Sequence, residues 1–198
     1  MAIKQQQLVF ATNNLHKLSE VQHILGNRFH LLSLSDIGFY EEIPEDFDTL
    51  EENASQKAWH IFKQFSITCF ADDTGLEVEA LDGKPGVYSA RFAGDHKNSA
   101  DNVKKLLADL IGEKNRNAQF RTVISFVING KEERFEGIVK GHIVDIPKGE
   151  NGFGYDPVFV PTGYSKTFAE LNLATKNQIS HRALALQKLV SYLNAFNF

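Results

Sequence analysis

Residues 65–75 read FSITCFADDTG, and this stretch decides the fold because an apolar run ends in two adjacent acids. The apolar part predicts a buried strand, and Thr74 and Gly75 predict that the chain turns after it. In α/β proteins, ligands bind where strands end at the carboxyl edge of the sheet. Successive side chains of a strand point to opposite faces, so we expect at most one of Asp72 and Asp73 to face such a site squarely.

Two interpretations of the paired acids remain open at this point. Carboxylate oxygens suit Mg²⁺, which takes one or two carboxylates together with waters and substrate phosphates. The sequence Asp-Asp-Thr-Gly is also favourable in a plain turn, where Asp and Gly serve the backbone alone. This stretch by itself favours the turn, and the rest of the chain changes that balance.

The composition is typical of a globular protein with a full core. The chain has 198 residues, of which 42% are hydrophobic and 23% are charged, as expected for one domain or one domain with two lobes. The net charge of -4 provides no basic field, so nucleic-acid binding is not expected.

The cysteine content and the apolar runs bear on the compartment. The single cysteine, Cys69, allows no intrachain disulfide and fits a reducing compartment. No apolar run approaches the ~20 residues that span a bilayer, and residues 1–7 carry no apolar signal core. We therefore expect a cytoplasmic protein with no membrane partner.

A strand, a polar turn and a helix are predicted within the first 26 residues. Leu8 to Ala11 is apolar, residues 12–17 read TNNLHK, and apolar residues at helical spacing continue to a stop at Gly26. The free N–H groups at such a helix start bind anions. Lys17 lies in the first turn, where its charge opposes the helix dipole unless an anion is present. A capped helix with a solvated lysine and a phosphate site both remain open.

The remaining predicted elements alternate between strands and helices. They are a strand at 29–34, a helix capped by Thr49 that continues to about Phe65, a helix at 98–112, β-like runs at 120–128 and 134–144, and a long last helix that begins after residues 175–182. Asn129-Gly130 between the two β-like runs predicts a hairpin. Crossover helices combined with a hairpin predict a mixed α/β sheet.

Six short motifs extend over nearly the whole chain. They are Thr12, Asn14 and Lys17; Glu52-Asn53-Ala54 with Lys57; Ala71 to Leu76; Pro85 to Arg91; Phe153 to Pro157; and Lys176-Asn177 with Ser180-His181-Arg182. In this order they resemble the inosine/xanthosine triphosphate pyrophosphatase family, which removes deaminated purine nucleotides. One such motif would be a weak signal, whereas six in matching order are not a coincidence.

The resemblance implies a fold and an activity. The fold would be an elongated mixed β-sheet with flanking helices, in one α/β domain (1–198) whose two lobes surround a central nucleotide-binding cleft. The activity would be hydrolysis of the triphosphates of inosine, deoxyinosine and xanthosine to the monophosphate and pyrophosphate. The family needs Mg²⁺ as cofactor and is usually a homodimer.

The resemblance also implies roles for individual residues. Asp73 would be the catalytic base and would bind Mg²⁺, with Glu45 as the second metal ligand. The substrate-binding residues would be Thr12, Asn13, Asn14, Leu15, His16 and Lys17 at the triphosphate, together with Lys57, Thr74, Phe153, Gly154, Tyr155, Asp156, Lys176, His181 and Arg182.

The chain departs from the family pattern at two places. Asp46-Phe47 stands where the family often has Thr-Gly, so the metal role of Glu45 rests on a looser match. Asn13 stands where the family often has glycine. Because asparagine tolerates positive φ better than most residues, we expect this turn to survive.

Base recognition has a separate set of candidates. Phe153 or Tyr155 can stack on the purine, although core packing is the alternative for both aromatic side chains. Lys176, His181 and Arg182 are donors that match the acceptor oxygen at C6 of hypoxanthine and xanthine. For His181, a structural role is the alternative.

Two other functions stay open from the sequence. One is a nucleotide-binding regulatory module without turnover, and the other is a pyrophosphatase for pyrimidine or otherwise modified nucleotides. The intact acids and lysines count against the first, and the donor set near the C-terminus counts against the second.

Overall fold

The computed structural model of the chain describes residues 6–195, which contain seven β-strands and five α-helices. The strands are β1 (Gln6–Phe10), β2 (Phe29–Leu32), β3 (Cys69–Val78), β4 (Pro85–Gly86), β5 (Asn117–Ile128), β6 (Lys131–Ile143) and β7 (Phe159–Pro161). The helices are α1 (Leu15–Leu25), α2 (Leu50–Phe65), α3 (Ser99–Asp109), α4 (Leu173–Ile179) and α5 (His181–Ala195). Most of the N-terminal stretch assessed for a signal core, residues 1–5, lies outside the described residues.

The strands form one mixed sheet in the order β2-β1-β3-β5-β6-β7, with β4 paired to β3. β1 pairs in parallel with both β2 and β3, and the crossovers between these strands contain α1 and α2. Parallel neighbours need such crossovers, whereas β6 and β7 are antiparallel. The predicted mixed α/β sheet with flanking helices is confirmed.

The chain divides into two compact units, and β3, β5 and β6 each contribute residues to both. Unit 1 contains the described residues up to Asp73, together with 122–137 and 182–195, and unit 2 contains 74–121 and 138–181. The core of unit 1 is built around Phe10 and Phe70, whose rings stack with centroids 4.5 Å apart. The core of unit 2 packs Phe120 against Phe159 and Phe168.

The turn predicted at Asp72-Asp73-Thr74-Gly75 is wrong, because β3 continues through these residues to Val78. Glycine at position 75 serves close approach instead of a turn. A Cβ atom there would lie 2.7 Å from the carbonyl oxygen of Gly86 on β4. The sequence signal for a turn was therefore a signal for tight pairing of two backbones.

The predicted hairpin is confirmed, and both of its strands are longer than the sequence indicated. Asn129 and Gly130 have φ values of 51° and 72°, as a two-residue hairpin turn requires. β2 is shorter than predicted and ends at Leu32. Ser33, the next residue, donates from its backbone N–H to Asp36 Oδ2 at 2.8 Å, which turns the chain instead.

The predicted helices are present with small changes of boundary. Thr49 caps α2 by accepting from the N–H of Glu52 at 3.2 Å, and Asn98 caps α3 in the same way. The segment before the last helix is itself helical. Ser180, with φ -68° and ψ 153°, separates α4 from α5. Among the helices of residues 6–195, none is both long and apolar enough to cross a membrane.

Candidate active site

The polar turn after β1 forms the start of α1, and its own side chains satisfy the first helical N–H groups. Asn14 Oδ1 accepts from the N–H of His16 at 3.0 Å and of Lys17 at 3.2 Å. Thr12 Oγ1 in turn accepts from the N–H of Asn14 at 3.1 Å. The capping role considered for this turn is thus confirmed for Asn14, while Leu15 and His16 are exposed.

Asn13 does not have the positive φ that its place in the family pattern suggested. Its side chain instead accepts a hydrogen bond from the N–H of Ser35 at 2.9 Å. This bond ties the turn after β1 to the segment after β2. An asparagine at this position therefore serves a side-chain contact, and no left-handed backbone is needed.

Asp72 lies in a buried chain of alternating charges. Lys17 Nζ donates to its Oδ1 at 2.7 Å, and Arg182 Nε donates to its Oδ2 at 3.1 Å. Arg182 also donates from Nη1 to Glu20 Oε2 at 2.5 Å. Arg182, which was predicted to recognise the base, has a buried guanidinium that binds two carboxylates of unit 1.

This chain of charges keeps Asp72 ionised. Burial alone would raise the pKa of its carboxyl, but Lys17 and Arg182 outweigh burial and hold the pKa well below its usual value. For Lys17, burial prevails over the attraction of Asp72 and lowers the pKa of the ammonium. Asp72 is thus a poor proton acceptor with a structural partner on each side.

Asp73, the next residue on β3, has different partners. Lys57 Nζ donates to Asp73 Oδ1 at 2.9 Å and to Glu45 Oε1 at 2.6 Å. Because β3 continues through both acids and their ion-pair partners differ, the separation predicted from the sequence is confirmed. Burial and the nearby Glu45 raise the pKa of Asp73 above its usual value, although Lys57 acts in the opposite direction.

Lys57 is held in its charged form by the same two acids. Burial lowers its pKa, but Asp73 and Glu45 outweigh that effect, so the pKa of the ammonium is raised. Lys57 itself is buried, whereas Glu45 remains about one-third exposed. The result is a base candidate and a fixed cation within hydrogen-bond distance of each other.

The loop that carries Glu45 is fastened to α2. Asn53 binds both the N–H and the carbonyl of Phe47, each at 3.0 Å. Gln56 Nε2 donates to Asp46 Oδ2 at 2.7 Å. Residues 46 and 47, where the chain departs from the family pattern, are therefore fixed to α2 by hydrogen bonds.

Sequence reasoning missed two residues that contribute to this part of unit 1. Asn53 was quoted within a motif but had no assigned role, and Glu20 was not singled out. A signal for Glu20 existed, because it stands three residues after Lys17, on the same face of α1. The pairing of Glu20 with Arg182 could not be predicted from the sequence, since 162 positions separate the two residues.

The acids at Lys57 fit a magnesium ion by their chemistry. Within residues 6–195, no set of three or more His, Cys, Asp or Glu side chains converges as a metal site. Two carboxylates, Glu45 and Asp73, do converge on one cation, the ammonium of Lys57. Two hard oxygen ligands are what Mg²⁺ takes from a protein when a phosphate supplies the rest.

A second group of predicted residues lies in unit 2. Lys176 Nζ donates to Asp156 Oδ2 at 2.8 Å, and the same oxygen accepts from the N–H of Phe153 at 2.8 Å. The ammonium also lies 5.0 Å from the centroid of the Phe153 ring. The Phe153 ring is half-buried, so one buried ion pair fixes a partly accessible aromatic ring.

Glycines allow this tight arrangement. Gly152 has φ 80°, and a Cβ atom there would collide with the carboxylate of Asp156. Gly154 has φ 63°, with no atom near the position of a Cβ. The backbone conformation alone explains the glycine at position 154. At position 152, the backbone conformation and the lack of space for a Cβ atom both require glycine.

Tyr155 is buried in the core, which favours the packing alternative for its ring. Its ring is buried, and its hydroxyl donates to the carbonyl of Ser89 at 2.9 Å. Burial also raises the pKa of this hydroxyl. Of the two aromatic side chains, only Phe153 presents surface to a base.

The structure favours packing for His181 as well. Its ring is buried and stacks on Phe120, with centroids 4.5 Å apart and an interplanar angle of 15°. Thr74 follows Asp73 on β3 and is half-buried. Unit 2 thus brings Phe153, Asp156 and Lys176 together, while Tyr155 and His181 belong to its core.

Known proteins resemble this chain over nearly its whole length. The model of the Ham1 family matches residues 8–192. A protein named dITP/XTP pyrophosphatase from Flavobacterium johnsoniae is 52% identical over 189 residues, which cover 96% of this chain and 98% of that protein. A protein of the same name from Bacillus subtilis is 45% identical over 194 residues, with coverage of 96% and 98%.

Solved structures agree with this result. The Ham1 protein of Staphylococcus aureus has a TM-score of 0.88 and 40% identity, and the match covers 96% of this chain and 99% of that one. The HAM1 protein of Coxiella burnetii has the same TM-score at 36% identity, with coverage of 96% and 100%. On its sequence and on its fold, the chain belongs to the Ham1 family.

Proposed function

We propose that this protein hydrolyses non-standard purine nucleoside triphosphates (the triphosphates of inosine, deoxyinosine and xanthosine) to the monophosphate and pyrophosphate. Relatives at 52% and 45% identity bear the name dITP/XTP pyrophosphatase. One structural observation carries the proposal. Two adjacent acids on β3 have different partners: Asp72 lies between Lys17 and Arg182, whereas Asp73 shares the buried ammonium of Lys57 with Glu45.

Asp73 is the proposed general base. A carboxylate is a better base when its pKa approaches the working pH, and burial next to Glu45 moves Asp73 in that direction. It accepts a proton from the attacking water. The water oxygen forms a bond to the α-phosphorus as the bond from that phosphorus to the α–β bridging oxygen breaks, and this oxygen leaves with the pyrophosphate. Two cations hold Asp72 ionised, and its proposed role is to position Lys17.

The cations of unit 1 are proposed to bind the negatively charged triphosphate. We assign Lys17 to the leaving pyrophosphate and Lys57 to the phosphates next to Asp73, with Thr12, Asn13, Asn14, Leu15 and His16 around them. Glu45 and Asp73 would hold Mg²⁺, which supplies positive charge to phosphate oxygens when bound. The Lys17 side chain is 19% exposed, and its ammonium is proposed to exchange Asp72 for a phosphate.

Base recognition is proposed for unit 2. Phe153 stacks on the purine, and Lys176 supplies a donor for the oxygen at C6, with Asp156 fixing the position of the ammonium. Adenine presents an amino group at C6, and a donor facing a donor disfavours binding. The homodimer and the cytoplasmic location implied by the resemblance are part of this proposal.

Product identification tests the proposal. The protein is incubated with deoxyinosine triphosphate and Mg²⁺, and with adenosine triphosphate in parallel, and the products are separated by ion-exchange chromatography. Deoxyinosine monophosphate and pyrophosphate are expected, with much slower turnover of adenosine triphosphate. Release of diphosphate and inorganic phosphate would contradict cleavage at the α–β bridge, and equal rates for the two nucleotides would contradict the donor argument.

A further inference from the structure

Glu132 on β6 binds four donors with one carboxylate, far from any motif of the sequence. Its Oε2 accepts from Trp59 Nε1 at 2.9 Å and from Ser55 Oγ at 3.1 Å. Its Oε1 accepts from Ser125 Oγ at 2.9 Å and from Arg134 Nε at 2.7 Å. All five residues belong to unit 1. The carboxylate therefore joins α2 to both strands of the hairpin.

The two contacts on α2 flank Lys57. Ser55 and Trp59 are four residues apart and share one face of the helix. Lys57 is two residues from each, about 200° around the helix axis, so it points to nearly the opposite side. There it binds Glu45 and Asp73. The helix is thus fastened on one side by Glu132 and presents its ammonium on the other.

We infer that Glu132 is a positioning residue for Lys57: it fixes the rotation of α2 and so sets the ammonium between Glu45 and Asp73. The inference deepens the proposed function and rests on it for its catalytic consequence. The hydrogen bonds outweigh burial and lower the pKa of Glu132 to about 2, so the carboxylate is an anion at working pH. It never needs to touch the nucleotide to act in this way.

The substitution Glu132→Gln disrupts these hydrogen bonds with little change in side-chain volume. The amide has one oxygen and one NH₂ group where the carboxylate has two acceptors. In either orientation the NH₂ group meets an N–H donor that cannot reverse, Trp59 Nε1 or Arg134 Nε. Trp59→Phe is a milder variant that removes one of the bonds from α2 and keeps an aromatic ring.

The first measurement observes the Lys57 ammonium directly in the substrate-free protein. Lysine ammonium groups held in ion pairs give ¹H–¹⁵N correlation signals at low temperature, and Lys57→Met identifies the signal of Lys57. Glu132→Gln and Trp59→Phe should both shift or broaden this signal. Glu133→Gln, the matched control on the neighbouring exposed residue of β6, should leave it unchanged.

The second measurement is a double-mutant cycle on turnover of deoxyinosine triphosphate. Displacing a catalytic group by about 1 Å reduces rates by up to about 10²-fold, so Glu132→Gln should reduce kcat about tenfold or more with a smaller change in KM. If Glu132 acts through Lys57, the double variant with Lys57→Met should be no slower than Lys57→Met alone.

An unchanged Lys57 signal in folded Glu132→Gln would overturn the inference, as would multiplicative losses in the cycle. A merely structural Glu132 would give both results. Failure of the proposed function looks different. The wild-type protein would then leave deoxyinosine triphosphate intact, while the Lys57 signal would still decide the role of Glu132.

Discussion

Both units bury ion pairs between a lysine and a carboxylate, but these pairs differ in how solvent reaches them. In unit 2, the side chains of Lys176 and Asp156 are 6% and 4% exposed beside the ring of Phe153. In unit 1, the pairs reach the surface through one partner each, Lys17 at 19% and Glu45 at 32%. A pair so little exposed holds the ring of Phe153 in place and offers its ammonium only to a base packed against that ring, whereas a pair with a more accessible member can exchange partners with a phosphate or a metal ion.

The charges within unit 1 show a second difference, between neighbours on one strand. Asp72 has a cation on each side and a lowered pKa, whereas Asp73 shares one cation with another acid and has a raised pKa. The strand places the two carboxyls on opposite faces, so each acquires its own partners. We therefore expect substitutions of Asp73 to affect mainly turnover and substitutions of Asp72 to affect mainly the free energy of unfolding.

The largest expected effect is on turnover, from Asp73→Asn. An amide cannot accept the proton of the attacking water, and general-base catalysis contributes about 10²–10⁴-fold, so kcat for deoxyinosine triphosphate should fall by that factor. The free energy of unfolding should change little, because the substitution also removes repulsion from Glu45. Steady-state kinetics and urea denaturation measure the two quantities, and near-normal kcat would refute the assignment.

Asp72→Asn should have its main effect on stability. A neutral side chain leaves the buried charges of Lys17 and Arg182 without their shared anion, and breaking a buried pair in this way destabilises proteins by about 3–5 kcal/mol. Urea denaturation should therefore show a much larger loss than in Asp73→Asn. Equal stability of the two variants would show that the chain of charges around Asp72 does not hold the fold.

The same residue predicts a dependence of stability on pH. The folded pKa of Asp72 is depressed below its ordinary value of 3.8, so its contribution is fully present above that value. It is lost as pH falls from about 3.8 towards the folded pKa. The stability difference between wild type and Asp72→Asn should thus be constant near neutral pH and shrink below pH 4. A difference that grew on acidification would have the wrong sign.

A smaller effect is expected in unit 2, from Phe153→Ala. Stacking of a base on an aromatic side chain contributes about 1–3 kcal/mol, so kcat/KM for deoxyinosine triphosphate should fall about 5- to 150-fold. Tyr155→Phe is the control. It removes the hydrogen bond to Ser89 and should lower stability by about 1 kcal/mol while sparing kcat/KM. The opposite result would exchange the roles of the two aromatic residues.

The smallest effects should come from the helix caps, one in each unit. Asn14→Ala and Asn98→Ala each remove a cap and should lower stability by about 1 kcal/mol. Only Asn14 lies in the turn assigned to the triphosphate, so only Asn14→Ala should also weaken nucleotide binding, measured by isothermal titration calorimetry. Equal affinities in both variants would leave that turn with a capping role alone.

The sequence by itself determined the features that depend on neighbouring residues. The alternation of a strand separated Asp72 from Asp73, Asn129-Gly130 specified the hairpin, and Thr49 marked the start of α2. Each is a local matter, since backbone geometry and short-range hydrogen bonds act over a few residues. The motif order was enough to indicate the family and the activity.

Only the tertiary structure decided which residues meet. Arg182 binds Asp72 across 110 positions of sequence, and Tyr155 packs in the core although it stands two residues after the glycine-flanked Phe153. The strand likewise passes through the expected turn at Gly75, because that glycine admits the backbone of Gly86. Burial and charge pairing depend on what the crossovers bring together, and a buried charge takes the nearest opposite charge in space, whatever its distance along the chain.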